Sequence, residues 1–398
     1  MATSILRGHK LSGQNAVNSL FRELGEVTEV VTESAYRQAR QKLKPELFID
    51  LNEMVVSNYY RLYEADGGVR RWKGRRLCGV DGSYLNLPDT EELRAGFSLQ
   101  KCQYGRGERV QALSSICYDL LNDVALSAGL GPKQAEKNFL FEAHLSALKP
   151  GDVVVLDRCY TDYAVMAFEV GQGCDFVIRF KRRGFKVVDE FWQSDEVDKV
   201  VELGVSRYQR AFVRERGLPE RLKVRLVKVE LEDGEIEVLG TSLLDAAKYP
   251  RDELKQVYGW RWGEEVWIGR IKNVFELERF SGKNKLVIEQ DFYGVIFLAS
   301  LESILSKSDE SQLQRECEER GRKYAVQVNH AVSYLTLVDY SVALLLDTSR
   351  SVEEVLGELH VLFKTNPAPI RPGRKFPREK RSLSNQLWHY KYKRRSLS

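Results

Sequence analysis

The chain has 398 residues, enough for two or three domains or for one core domain carrying large insertions. A hydrophobic content of 43% with 30% charged residues is that of a water-soluble globular protein, and no apolar run approaches the roughly 18 residues of a membrane span. The net charge of +4 is unevenly placed: from Thr365 onward ten lysines and arginines face Glu379 alone, leaving that tail at about +9 and the remainder near −5.

The first residues, Met1 to Lys10, hold Arg7, His9 and Lys10 with no apolar stretch behind them. That is not the layout of an export signal, so a cytoplasmic location is expected. Cys78, Cys102, Cys117, Cys159, Cys174 and Cys317 form no Cys-x-x-Cys pair and read as reduced thiols. The five histidines are isolated, which argues against zinc and leaves His144 and His330 as ordinary helix residues.

The segment up to about residue 70 reads as helices, with Ser12 as a start signal and a basic stretch from Thr32 to Lys42. Its cations Arg37, Arg40, Lys42 and Lys44 would face DNA or simply solvent. After Gly67-Gly68 the texture turns to strands. Arg76 to Ser83 is a short strand that places Asp81 in apolar company and breaks at Gly82. Val110 to Tyr118 and Val124 to Leu130 are two more strands, joined by a turn at Leu120 to Asp123. Gly131-Pro132 opens a helix of about 15 residues that ends near Pro150-Gly151.

Val153 to Leu156 is a continuous apolar run, the pattern of a strand covered on both faces, and it ends in Asp157. Catalytic groups of α/β sheets gather at such carboxyl ends. A helix from about Thr161 and a strand from Phe176 to Phe180 follow. Three strands, a helix, a strand, a helix and a strand is the order of a ribonuclease H-like mixed sheet. From Lys181 to about Leu244 the pattern becomes β-rich, with a hairpin turning at Asp233-Gly234. A long helix begins after Tyr249-Pro250, Asp309 to Gly321 is helical, and Ser351 to Phe363 opens with a Ser-x-x-Glu capping box. In the tail Trp388, Tyr390 and Tyr392 interleave with Lys391, Lys393, Arg394 and Arg395, a mixture suited to phosphates and bases or to a disordered basic end.

The helix after Pro250 carries the sharpest signal. Tyr258, Arg261, Glu265 and Lys272 lie at intervals of three, four and seven, which puts them within about 60° of one another on a single helix face. Trp260, Trp267, Ile271 and Val274 lie on the far side. A solvated charged face is the plain reading. The polar stripe runs about 21 Å, long enough to follow several phosphates, and one carboxylate among the cations suits a metal ligand flanked by phosphodiester-binding groups. With Asp81 and Asp157 on strands of a common sheet, Glu265 would complete a three-carboxylate set for two Mg²⁺ or Mn²⁺ ions, hard cations that take oxygen ligands.

The Tyr-x2-Arg-x3-Glu-x6-Lys spacing, preceded by Asp81-Gly-Ser and Leu156-Asp157-Arg158, resembles the DDE transposases of insertion-sequence family four. The resemblance runs from Ser34-Ala35-Tyr36 to Phe280-Ser281-Gly282-Lys283. It implies an α/β fold: a ribonuclease H-like mixed sheet with a β-rich insertion before the glutamate, flanked by N-terminal and C-terminal helical regions. Asp81, Asp157 and Glu265 would be the catalytic metal ligands, and Tyr258, Arg261 and Lys272 would hold the DNA backbone. Trp262, bordering the same face, would stack on a displaced base or pack against the insertion. Family members often carry an apolar residue where this chain has Glu264, so Glu264 remains a second candidate for the third ligand, about 100° round the helix.

The expected organisation is a helical DNA-binding region at 1–70, the catalytic core at 71–181 and 246–306, the β-rich insertion at 182–245, a C-terminal helical region at 307–365 and the basic tail at 366–398. The implied activity is metal-dependent cleavage at terminal inverted repeats and strand transfer into target DNA. It would be carried out in the bacterial cytoplasm on double-stranded DNA by a homodimer meeting through its C-terminal helices. A catalytically silent DNA-binding remnant or repressor, and a ribonuclease H-like nuclease that cuts without joining, are the alternatives.

Overall fold

The computed structural model describes residues 1–7, 13–24, 31–101, 108–133, 139, 142–230 and 234–371. Ser12, Cys102, Asp233, most of the helix expected after Pro132 and the aromatic-basic tail lie outside them. In chain order the strands are β1 (Leu77–Asn86), β2 (Ser98–Lys101), β3 (Glu108–Asp119), β4 (Val124–Gly131), β5 (Val153–Leu156), β6 (Asp175–Arg179), β7 (Asp198–Gly204), β8 (Arg221–Glu230), β9 (Ile236–Thr241), β10 (Val326–Gln327) and β11 (Ala368–Pro369). The first helices are α1 (Ala2–Leu6), α2 (Gly13–Glu23), α3 (Glu33–Arg40), α4 (Glu46–Tyr63), α5 (Glu91–Gly96), α6 (Tyr163–Gly171) and α7 (Lys186–Gln193). The remaining ones are α8 (Arg210–Glu215), α9 (Arg251–Trp260), α10 (Trp262–Asn273), α11 (Lys285–Glu319), α12 (His330–Leu345) and α13 (Val352–Thr365). The chain divides into two compact units.

The unit formed by residues 49–83 and 113–270 is built on a mixed sheet. Its strands run β4-β3-β1-β5-β6, and β9-β8-β7 continue the same sheet beyond β6. β1 is parallel to β5 and β5 to β6, whereas β3 and β4 are antiparallel neighbours. This is the ribonuclease H-like order anticipated from the sequence. β5 is buried at all four positions, as its unbroken Val-Val-Val-Leu run requires. Asp162 caps α6 by accepting from the Ala164 N–H, and α6 buries Val165, Met166, Ala167 and Phe168. The part of α4 in this unit, residues 49–63, is fixed by polar contacts to β3, β4 and the turn between them. Asn52 Nδ2 donates to Ala125 O at 2.8 Å, Tyr59 Oη to Asn122 Oδ1 at 3.0 Å and Tyr60 Oη to Asp119 Oδ2 at 2.5 Å. Arg76 and Asp152 form a buried ion pair with Arg76 Nε 3.0 Å from Oδ1.

Several boundaries differ from the sequence reading. β1 does not break at Gly82 but runs on to Asn86. Gly82 takes no positive φ there, and the twelve-residue β3 is long enough to pair along it, Leu120 N–H donating to Leu77 O and Ser114 Oγ to Ser83 O. The β8–β9 hairpin is present, with Gly234 at φ +81°, the left-handed geometry such a turn uses. The insertion also contains α7 and α8, and β9 pairs antiparallel with β6 from Val177↔Thr241 to Arg179↔Leu239, so its strands extend the core sheet. Described residues 142–147 form turns where a helix was expected. His144 is no ordinary helix residue: it is fully buried, with Nε2 2.9 Å from Ser115 Oγ and Nδ1 2.7 Å from Ser127 Oγ, and burial pushes its pKa down to about 3.

The other unit comprises residues 1–48, 84–112 and 271–398. Its axis is α11, 35 residues long and capped by Asn284, of which the sequence shows only the last part, from Asp309. α12 escaped the sequence reading, while α13 begins at Ser351 with the expected capping box, both reciprocal hydrogen bonds present. Within this unit β2 pairs antiparallel with the start of β3, Ser98 opposite Gln111. Arg40 corrects the expectation that it faces DNA. It is buried, its guanidinium donating to Gln290 Oε1 at 2.7 Å, Ser281 Oγ at 2.6 Å and Asp291 Oδ1 at 2.6 Å, so it ties α3 to α11. Arg37 pairs with Glu33 on its own helix, and Lys42 and Lys44 are exposed. His330, the first residue of α12, holds Glu302 of α11 at 3.0 Å through Nδ1. The five described cysteines are all free thiols, and no helix among the described residues is long and apolar enough to cross a membrane.

Candidate active site

Asp81 lies on β1, and Asp157 follows β5, the strand parallel to β1 in register Val80↔Leu156, so the two acids emerge at the same end of neighbouring strands. Each is oriented by the backbone. Asp81 Oδ1 accepts from the Gly82 N–H at 2.8 Å, and Asp157 Oδ1 accepts from the Cys159 N–H at 2.6 Å as the cap of a short 3₁₀ turn. Thr161 Oγ1 donates to Arg158 O and to Arg179 O, which ties this turn to the end of β6.

The motif segment is two helices rather than one. α9 ends at Trp260, α10 starts at Trp262, and Arg261 at the junction keeps helical angles while hydrogen bonds tighten to a spacing of three, Arg261 N–H to Tyr258 O and Glu264 N–H to Arg261 O. Gly259 and Gly263 flank this point and weaken the regular ladder by about 1 kcal/mol each relative to alanine. The face survives the junction. Arg261 Nη2 donates to Glu265 Oε1 at 2.8 Å, and its guanidinium lies 5.6 Å from the Tyr258 ring centre and 5.8 Å from that of Trp262. Arg261 is largely buried, and its Nε has no hydrogen-bond partner. Trp262 is 61% exposed, an unusual position for an indole away from an interface.

Electrostatics link the two ends of the unit's chain. Desolvation pushes the Asp81 pKa up to about 6, opposed by the Gly82 N–H and Arg261 and reinforced by the carboxylates of Asp157 and Glu265. Tyr258 is also raised, chiefly by burial. The structure therefore brings together Asp81, Asp157, Glu265, Arg261, Tyr258 and Trp262. Lys272, at the far end of α10, belongs to the other unit, where its Nζ donates to Tyr84 O at 2.7 Å and lies 3.8 Å from Glu278.

Glu264 turns in against β1. It is fully buried, the Asp81 backbone N–H faces it without either carboxyl oxygen making a well-formed hydrogen bond, and its Oε2 sits so close to Gly79 of β1 that a Cβ there would approach it to 2.3 Å. Burial raises its pKa well above the ordinary range, with the Asp81 carboxylate adding to the effect. The glutamate on Arg261's face, partly open to solvent, is Glu265.

Three carboxylates around one region of the sheet end are hard oxygen donors, and the mutual repulsion that raises Asp81 is what a divalent cation would relieve. The donor set fits such an ion by its chemistry. As placed, each carboxylate gives one oxygen to a donor of the chain, and among the described residues no three such groups are arranged to hold a metal.

Comparison with known proteins identifies the family of the chain. The family model described as transposase DDE domain matches residues 72–301. The transposase InsG for insertion sequence element IS4 of Escherichia coli (strain K12) is 25% identical over 276 residues, 68% of this chain and 60% of that protein, so the chain spans less than two thirds of its relative's length. A cryo-EM structure of the piggyBac transposase synaptic complex with hairpin DNA covers 94% of this chain and 72% of its own, at 9% identity and a TM-score of 0.39. With the match running over more than half its length and through all three acids, the chain belongs to the transposase DDE domain family.

Proposed function

We propose that the chain is a metal-dependent DNA transposase that cleaves double-stranded DNA at the terminal inverted repeats of its own element and joins the released ends to target DNA. The observation that carries this reading is the approach of Glu265 and Arg261 from a helix to Asp81, midway along β1, and to Asp157, just past the end of the parallel strand β5. Asp81, Asp157 and Glu265 would hold Mg²⁺ or Mn²⁺, two ions in the complete site, with Glu265 preferred over Glu264. When bound, such ions lower the pKa of the attacking oxygen and offset charge on the leaving one.

The chain's own groups do the rest. Arg261, buried and with Nε unpartnered, is preorganised to donate to a phosphate oxygen. Tyr258 donates its hydroxyl to the same backbone, Lys272 supplies a point charge, and Trp262 offers an exposed ring for a displaced base. In cleavage, water attacks phosphorus, the P–O3′ bond breaks and a 3′-hydroxyl leaves. In joining, that hydroxyl attacks a target phosphorus and displaces a new 3′-hydroxyl. Both are one displacement with different nucleophiles. A homodimer on paired ends, working in the bacterial cytoplasm, completes the proposal.

The test is cleavage and strand transfer on DNA bearing the element's ends. Mg²⁺ or Mn²⁺ should support both reactions, and Asp81→Asn, Asp157→Asn or Glu265→Gln should abolish them while DNA binding persists. Binding without metal-dependent nicking in the natural chain would make it a silent DNA-binding protein. Nicking without joining of pre-cleaved ends would make it a nuclease.

A further inference from the structure

Between β7 and β8 the sequence Ser206-Arg-Tyr-Gln-Arg-Ala-Phe-Val-Arg-Glu-Arg216 gathers four arginines and one acid. Tyr208 at its tip is 95% exposed, and Arg207, Arg210, Arg214 and Arg216 are all exposed. Glu220 neutralises part of this charge, accepting from Arg214 Nε at 2.7 Å and lying 3.8 Å from Arg210. Among the described residues Arg207 has no ion-pair partner, and the Arg216 guanidinium sits over the Phe212 ring, 3.9 Å from its centre.

The segment is anchored rather than trailing. Val213 is fully buried, and the Tyr163 hydroxyl donates to Pro219 O at 2.9 Å. Gln209 Nε2 donates to Asp162 Oδ1, the carboxylate that caps α6 five residues beyond Asp157. A basic, aromatic-tipped segment is thereby fastened to the same loop that carries one of the three acids, all within one compact unit.

We propose that Ser206 to Arg216 is a second seat for DNA, with Arg207 and Arg216 binding phosphates of the duplex that flanks the scissile bond and Tyr208 packing its ring on the sugar-phosphate edge. The inference rests on the function proposed above and extends it to a surface outside the acid cluster. The partner follows from the charge: four guanidiniums against Glu215 and Glu220 leave a net positive face that matches phosphates, and a single flat ring at the tip suits a backbone edge.

Equilibrium binding of the full chain to duplex DNA, with divalent cations chelated so that cleavage plays no part, tests it across a salt series. Each lost phosphate contact lowers affinity roughly 8-fold at about 0.1 M salt and reduces the slope of log K against log salt by about 0.9. Arg207→Gln with Arg216→Gln should therefore weaken binding by up to roughly 60-fold and flatten the slope by about 1.8. Glu220→Gln should act in the opposite sense, tightening binding by releasing Arg210 and Arg214. Unchanged affinity and slope in both variants would overturn the proposal, as would failure of the natural chain to bind duplex DNA. Normal binding with absent cleavage would instead count against the catalytic reading alone.

Discussion

Glu264 and Glu265 stand side by side in the sequence, and substituting each by glutamine separates what the two carboxylates do. Glu265 shares an ion pair with Arg261 and adds to the field at Asp81. As a metal ligand, its loss should reduce end cleavage at least a thousandfold, about 4 kcal/mol in barrier height. Glu265→Gln keeps shape and the hydrogen bond from Arg261, so folding should be little changed. Glu264 is the reverse case. Two buried oxygens without a well-formed hydrogen bond are each a penalty of about 1–3 kcal/mol, and ionisation would add to it. Glu264→Gln removes the ionisation penalty without changing volume beside Gly79, where added bulk has no room. It should raise stability at neutral pH by about 1–3 kcal/mol and leave cleavage within a few-fold of the natural chain. Urea unfolding and a metal-dependent nicking assay on the same preparations measure both quantities. Cleavage lost in Glu264→Gln and kept in Glu265→Gln would refute the assignment and the geometric reasoning behind it.

Other consequences are as definite. Glu169 on α6 is fully buried with both oxygens unpartnered, and desolvation, helped by Asp152, pushes it up to about 8 from an ordinary 4.5. A raised folded-state pKa means that its stabilising contribution is complete below about 4.5 and is lost as pH climbs to about 8. The ceiling on this swing is about 5 kcal/mol. Glu169→Gln should thus be more stable than the natural chain at pH 8, with the difference shrinking towards pH 5. Parallel unfolding curves for the two chains at every pH would contradict this. Arg40→Ala should destabilise the helical unit by about 3 kcal/mol, since it removes the cation paired with Asp291 and leaves the buried Gln290 Oε1 without its donor. Unchanged urea unfolding together with unchanged protease resistance of α3 in that variant would show that the tie is not needed.

Local pattern made part of this molecule readable. β5 announced itself as an unbroken apolar run, Asp157 as the acid at its end, and the Tyr258–Arg261–Glu265 face by helical spacing, because each depends on residues close in sequence. What escaped depends on distant partners. Nothing near Arg40 reveals that Gln290 and Asp291, 250 residues on, will bury it. Glu264 looked like its neighbour because the space it fills is left by Gly79, a missing side chain on a remote strand. α12 was missed because its apolar residues occupy more than one face, so no single periodic stripe stands out. Gly82 read as a stop because glycine often ends a strand, and β3 overrode it by pairing across.

The strands added beyond β6 also settle a problem of solubility. A sheet that stopped at β6 would present Phe176, Val177 and Ile178, all fully buried here, along an open row of unpaired amides, an invitation to join another chain edge to edge. β9 closes that row, and the sheet instead terminates on β7, a strand that carries Asp198, Lys199 and Glu202 and whose Asp198 is tied down by Arg225. The insertion is thus no detachable accessory: trimming it to reach a minimal catalytic core would trade a charged boundary for an adhesive one.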